Sequence, residues 1–127
     1  MQQSRGGDIP WRNYTALTDD GYYLTMFRIV GSLDHKVQER SYQQPKGPLL
    51  LIHGFTTDSI TWFDRSDENS FAVGTKLFQE GYDVWFANLR GTRRSRSHAK
   101  LDADTDSAEY FSYDLSAFGE FDLPAML

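Results

Sequence analysis

"LLLIHGFTTDSITWF", Leu49 to Phe63, decides the fold class. Leu49 to Ile52 is a short continuous aliphatic run, the pattern of a strand buried on both faces in a parallel sheet. Pro48 opens the run and His53-Gly54-Phe55 ends it, after which the chain turns polar. A glycine there lets the backbone approach a bound molecule closely. The next N–H, that of Phe55, can then point at an oxygen on which negative charge develops. On the tripeptide alone the plainer reading comes first: a strand-to-loop turn with a satisfied histidine.

Downstream, "NSFAVGTKLFQEGY" carries Phe71, Gly74, Leu77 and Phe78 at helical spacing. Asn69 or Ser70 can cap its start and Gly81 can stop it. "YDVWFAN", Tyr82 to Asn88, is a second continuous apolar run. Strand, helix and strand in about 40 residues make the βαβ unit of a parallel sheet. Upstream, Tyr14 to Val30 reads as a β-hairpin around Asp19-Asp20-Gly21, where Asp-Gly supplies the positive-φ residues a tight turn needs. Gly31 to Gly47 is polar and aperiodic and reads as a loop. The tail "SAFGEFDLPAML" enters another helix, with Asp122 as a cap and Pro124 in its first turn. The fold class is therefore α/β, with an N-terminal hairpin followed by a parallel βαβ unit. Residues 1–127 form one structural unit, of which 1–12 read as an extended N-terminal segment.

At 127 residues, 39% hydrophobic and 15% aromatic, the chain can bury a core without metal or disulfide help. It has no cysteine, which removes disulfides, Cys-ligated zinc and thiol catalysis together. A formal net charge of -5 argues against general affinity for nucleic acid or anionic membranes. No apolar stretch approaches the roughly 20 residues that span a bilayer. The opening "MQQSRGGDIPW" lacks the apolar segment of a secretory signal, so a signal, if the protein is exported, lies outside this sequence. Asn13-Tyr14-Thr15 matches the N-glycosylation acceptor pattern, relevant only in a secretory compartment.

"LRGTRRSRSHAK", Leu89 to Lys100, gathers Arg90, Arg93, Arg94, Arg96, His98 and Lys100. It could bind phosphate or nucleic acid, but it lacks aromatic interleaving and is followed by Asp102, Asp104, Asp106 and Glu109, so a solvated loop is the better reading. The carboxylates read as a hydrated loop rather than an acid/base pair. His35, His53 and His98 share no ligand spacing, so no metal site and no cofactor are expected. A nucleophile is missing: G-x-S-x-G does not occur, and Ser59 and Ser95 lack the strand-turn-helix context such a serine needs.

In this order, "TDDGYYLTMFRI", "LLLIHGF", "GYDVWFANLRG", "SRSH" and "YFSYDLSAFGEFDLPAML" resemble the acid lipase family of α/β-hydrolases, which includes gastric and lysosomal lipases and steryl ester hydrolases. The resemblance covers nearly the whole chain from Tyr14. It departs at Arg94, where the family usually carries a tryptophan. It implies a lipid-ester hydrolase in which Phe55 supplies one oxyanion N–H while His53 and Gly54 form the substrate-facing turn. The family's serine, acid and histidine lie downstream of Leu127, which implies that the chain alone is catalytically inert. It also implies that Leu49 to Ile52 is flanked on one side by Tyr82 to Ala87 and on the other by a strand this chain lacks. That edge is expected to be covered by another polypeptide. A second reading is a non-catalytic interaction subunit that docks through this edge and through Trp11, Tyr22 and Trp62. The family implies a secreted, lysosomal or lipid-droplet setting.

Overall fold

Asp19-Asp20-Gly21 turns the chain between β1 (Trp11–Leu17) and β2 (Tyr22–Ile29), which pair antiparallel with Leu17 opposite Tyr23. The computed structural model describes residues 10–31, 46–62 and 73–127. The Gly21 N–H donates to the Thr18 carbonyl at 3.0 Å and the Thr18 N–H to the Tyr22 carbonyl at 2.9 Å. Of the turn residues only Gly21 has positive φ, 102°. The loop is thus a type I turn closed by a left-handed glycine, not a two-residue turn with positive φ at both centres. Asp20 stays in ordinary backbone geometry, and its carboxylate serves the tertiary structure instead.

The aliphatic run forms β3 (Pro48–Ile52), which pairs parallel with β4 (Asp83–Ala87), Leu49 opposite Val84 and Leu51 opposite Phe86. β4 also pairs antiparallel with β2, and the short β5 (Ser97–His98) pairs with the start of β2. The strand order is β1-β2-β4-β3, a mixed sheet. Among the described residues β3 has one strand neighbour. None of its residues is fully buried, and Ile52 is 37% exposed. Within this chain, β3 is therefore only partly buried, not buried on both faces.

α1 (Val73–Gln79) links the parallel strands. Asn69, Ser70 and Phe71, expected at its start, lie outside the described residues. Its end is a Schellman motif: Tyr82 N–H bonds the Leu77 carbonyl at 3.2 Å, Gly81 N–H bonds that of Phe78 at 3.0 Å, and Gly81 has φ 97°. Gly74 sits directly over the Phe86 ring, where a Cβ would overlap it.

Alternation along the strands sends the core to two faces. Phe27, Ile29, Val84 and Phe86 pack against Leu77, Phe78, Tyr82 and Leu51 on the α1 face. Tyr22 and Leu24 pack on the other face against Ala103, Tyr110 and Tyr113. Burying each such large side chain contributes about 1.5–3 kcal/mol. Tyr22 is 5% exposed, so it belongs to the core and not to a docking surface. The chain then passes through α2 (Ser107–Tyr110) and a wide π turn (Phe118–Asp122) into α3 (Leu123–Met126).

Candidate functional site

The turn that leaves β3 is His53-Gly54-Phe55-Thr56, and His53 fastens it. The Leu89 N–H donates to His53 Nε2 at 3.1 Å, so that nitrogen is an acceptor. His53 Nδ1 lies 2.8 Å from the Gly54 carbonyl, which can only accept, so Nδ1 carries the proton. Nε2 ties the end of β3 to the segment after β4, and Nδ1 braces the turn on itself. His53 therefore shapes the turn and is not a free base.

Phe55 projects from the turn with 76% of its surface exposed. Its backbone N–H has no hydrogen-bond partner among the described residues. Thr56 follows at φ 64°, the left-handed region, which a β-branched residue adopts at a cost of about 1–3 kcal/mol. Strain of this kind persists only where the surroundings impose it. Here they do. Asp58 accepts the Ile60 N–H at 2.8 Å to start the 3₁₀ turn Ser59–Trp62, and it pairs with Arg94 at 3.4 Å. Arg94, where the resemblance implied a tryptophan, thus pins the far end of the turn to the loop after β4. The turn forms one wall of a cleft of about 950 Å³. Leu89 to Arg93 and Tyr113, Asp114, Leu115 and Phe118 also line it, with Phe55, Ile60, Leu115 and Phe118 supplying apolar surface.

Two buried brackets hold these walls together. Asn88, at 0% exposure, accepts the Ser59 N–H on Oδ1 at 3.0 Å and donates from Nδ2 to the Thr25 carbonyl at 3.0 Å. Ser95 Oγ donates to the Asn88 carbonyl at 2.7 Å and accepts the Thr25 N–H at 2.8 Å. Ser95 and Ser59 are both fully buried; Ser95 joins this bracket through its hydroxyl and Ser59 through its backbone N–H.

Arg90 makes the second bracket. Its side chain is fully buried between two carboxylates. Nε donates to Asp122 at 2.7 Å, Nη1 and Nη2 donate bidentately to Asp20 at 2.6 and 2.9 Å, and its backbone N–H donates to Asp122 at 3.0 Å. The guanidinium also lies 4.0 Å over the Tyr22 ring. Burial would raise the Asp20 carboxyl, but hydrogen bonds from Arg90 and Thr18 outweigh it and hold the group below the ordinary carboxylate range. For Asp122 burial wins over Arg90 and pushes the carboxyl up. Burial likewise pushes the Tyr110 phenol up to about 12. Arg90 therefore joins the hairpin turn, the loop after β4 and the C-terminal helical segment.

This corrects two sequence expectations. Arg90 is buried and is not part of a solvated basic loop, although Arg96, paired with Asp104 at 2.6 Å on exposed side chains, fits that description. Asp122 makes no side-chain cap hydrogen bond and ligates Arg90 instead. The signal for both was an arginine and an aspartate 32 residues apart, a pairing that no local pattern reveals.

The model of the partial alpha/beta-hydrolase lipase region matches residues 2–66. Lipase member M of Mus musculus is 37% identical over 119 residues, covering 93% of this chain and 26% of that protein. Lipase member K of Homo sapiens is 35% identical, covering 93% and 28% respectively. The lysosomal acid lipase/cholesteryl ester hydrolase of Homo sapiens is 36% identical, covering 94% and 28%. The chain thus spans between a quarter and a third of the length of these curated relatives.

Proposed function

This chain belongs to the α/β-hydrolase lipase family, and from that membership we propose that it forms the N-terminal part of a lipid-ester hydrolase acting on acylglycerols or steryl esters. Attack of a serine Oγ on the ester carbonyl turns the carbonyl oxygen into an oxyanion, and Phe55 donates its backbone N–H to it. His53 and Gly54 hold that donor at the mouth of the acyl cleft. The chain is the incomplete α/β-hydrolase sheet, its hairpin followed by the parallel βαβ unit. A strand of polypeptide from outside it pairs along Leu49 to Ile52 and brings the nucleophilic serine, with the acid and histidine following. Without that polypeptide the chain has an oxyanion donor and nothing to attack the ester.

The observation that carries this reading is the Phe55 N–H, unpartnered among the described residues, on a strained turn at the rim of an apolar cleft. The test measures ester turnover by an assembly of this chain with the polypeptide that carries the G-x-S-x-G segment. Phe55→Pro deletes the N–H and is expected to lower kcat by about 10²–10³, the cost of one oxyanion donor, with KM little changed. Phe55→Ala keeps the N–H and retains most of kcat. Wild-type kcat in Phe55→Pro would show that the donor is misassigned. An assembled but inactive wild type would reject the hydrolase reading itself. Amide exchange at Leu50 and Leu51 reads the edge separately: it slows on assembly if a strand pairs there.

A further inference from the structure

Trp11-Arg12-Asn13-Tyr14-Thr15 opens β1, the outermost strand on its side of the sheet among the described residues. Alternate strand residues share a face, so Trp11, Asn13 and Thr15 stand in one row at intervals of about 6.8 Å. Asn13 is exposed, and its amide has no hydrogen-bond partner among the described residues. Directly across the strand pair on that face is Phe27. Trp11 meets the Phe27 ring edge-on, centroids 5.0 Å apart at 81°, and keeps 37% of its surface open to solvent. An acceptor asparagine thus has a half-exposed indole beside it and the threonine of its acceptor triplet on the other side. A hexosamine ring has one face of C–H bonds, which suits contact with an aromatic face.

We propose that Asn13 carries an N-linked glycan whose first N-acetylhexosamine packs on Trp11. In the transfer, Asn13 Nδ2 attacks the anomeric carbon of a lipid-diphosphate-linked oligosaccharide supplied by the secretory compartment. The new C–N bond replaces the C–O bond to the diphosphate, which leaves with that electron pair, and Nδ2 loses one proton. The triplet needs the Thr15 hydroxyl and a residue other than proline between, which Tyr14 satisfies. The finished glycan lies over the face of β1 that carries Trp11, Asn13 and Thr15. The inference is independent of the ester-hydrolase reading.

The protein, directed into the secretory pathway of eukaryotic cells, provides the test. The peptide containing Asn13 is expected to carry a mass increment that peptide N-glycosidase removes, and Asn13→Gln and Thr15→Ala are each expected to abolish it. Enzymatic removal of the glycan is expected to lower Tm by several degrees in the wild type and to leave Trp11→Ala, already without the stacking partner, nearly unmoved. An unmodified Asn13, whether the protein is secreted or retained, overturns the site. An equal Tm loss in wild type and Trp11→Ala overturns the packing on Trp11.

Discussion

Replacing Arg90 by methionine tests whether the Asp20-Arg90-Asp122 bracket is a structural keystone. Methionine keeps the length and the apolar contact with Tyr22 but loses three side-chain hydrogen bonds, one to Asp122 and two to Asp20. The two carboxylates respond differently. The Asp20 side chain is 30% exposed and can return to water, so its loss costs about 0–1 kcal/mol. The Asp122 side chain is 0% exposed and is left with one donor, the backbone N–H of residue 90. Removing one partner of a buried pair costs about 3–5 kcal/mol, against a total stability of about 5–15 kcal/mol for a domain.

The cost of Arg90→Met also depends on pH. Asp122 already has its carboxyl pushed up by burial, and without the guanidinium it rises further. A group raised in the fold destabilises once charged, so stability is full at low pH and falls as pH rises through the folded value. Asp20 has the opposite sign in the wild type. Its depressed carboxyl contributes stability above about 3.9 that disappears as pH falls through the folded value, and the variant lacks that contribution throughout. Both effects make the deficit of Arg90→Met largest near neutrality and smaller in acid. Urea unfolding followed by tryptophan fluorescence at pH of about 7 and about 4 measures it. Adding Asp122→Asn removes the buried charge while keeping an acceptor for the backbone N–H, and is expected to restore about 2 kcal/mol. A single-variant cost below about 1 kcal/mol, a cost equal at both pH values, or no rescue by the second substitution would show that the bracket does not hold the fold.

Two further substitutions probe the walls of the site. Gly74→Ala would add about 1 kcal/mol of helix propensity at an exposed position, but here the new Cβ would lie 2.6 Å from Cε1 of Phe86, whose exposure is 0%. Overpacking of about 1–3 kcal/mol wins, so thermal unfolding is expected to show a net loss, and a raised Tm would contradict the packing. Thr56→Gly relieves left-handed strain and is expected to leave stability unchanged or raise it by about 1 kcal/mol while lowering ester turnover in the assembly, because the donor at Phe55 is held less firmly. Lower stability with unchanged turnover would mean that the strain does not serve the turn.

Features that depend on neighbouring residues are legible in the sequence. Asp19-Asp20-Gly21 sets the reversal between β1 and β2, because the turn closes within four residues and one of them must reach positive φ. Leu49 to Ile52 and the run after Gly81 are long enough and apolar enough to be strands, and Gly81 ends α1 through bonds no more than five residues long. His53-Gly54-Phe55 marked the turn for the same reason. The tertiary structure alone decided how buried those elements are and what the polar residues do. Leu49 to Ile52 has the composition of a central strand, yet it is half-exposed because only β4 lies beside it among the described residues. Arg90 looked like one cation of a solvated loop, and Asp122 like a helix cap. Their pairing across 32 residues, with Asp20 arriving from the hairpin, is a consequence of where three separate segments meet. The cost of burying a charge falls only when opposite charges converge, and convergence is a property of the fold and not of any local pattern.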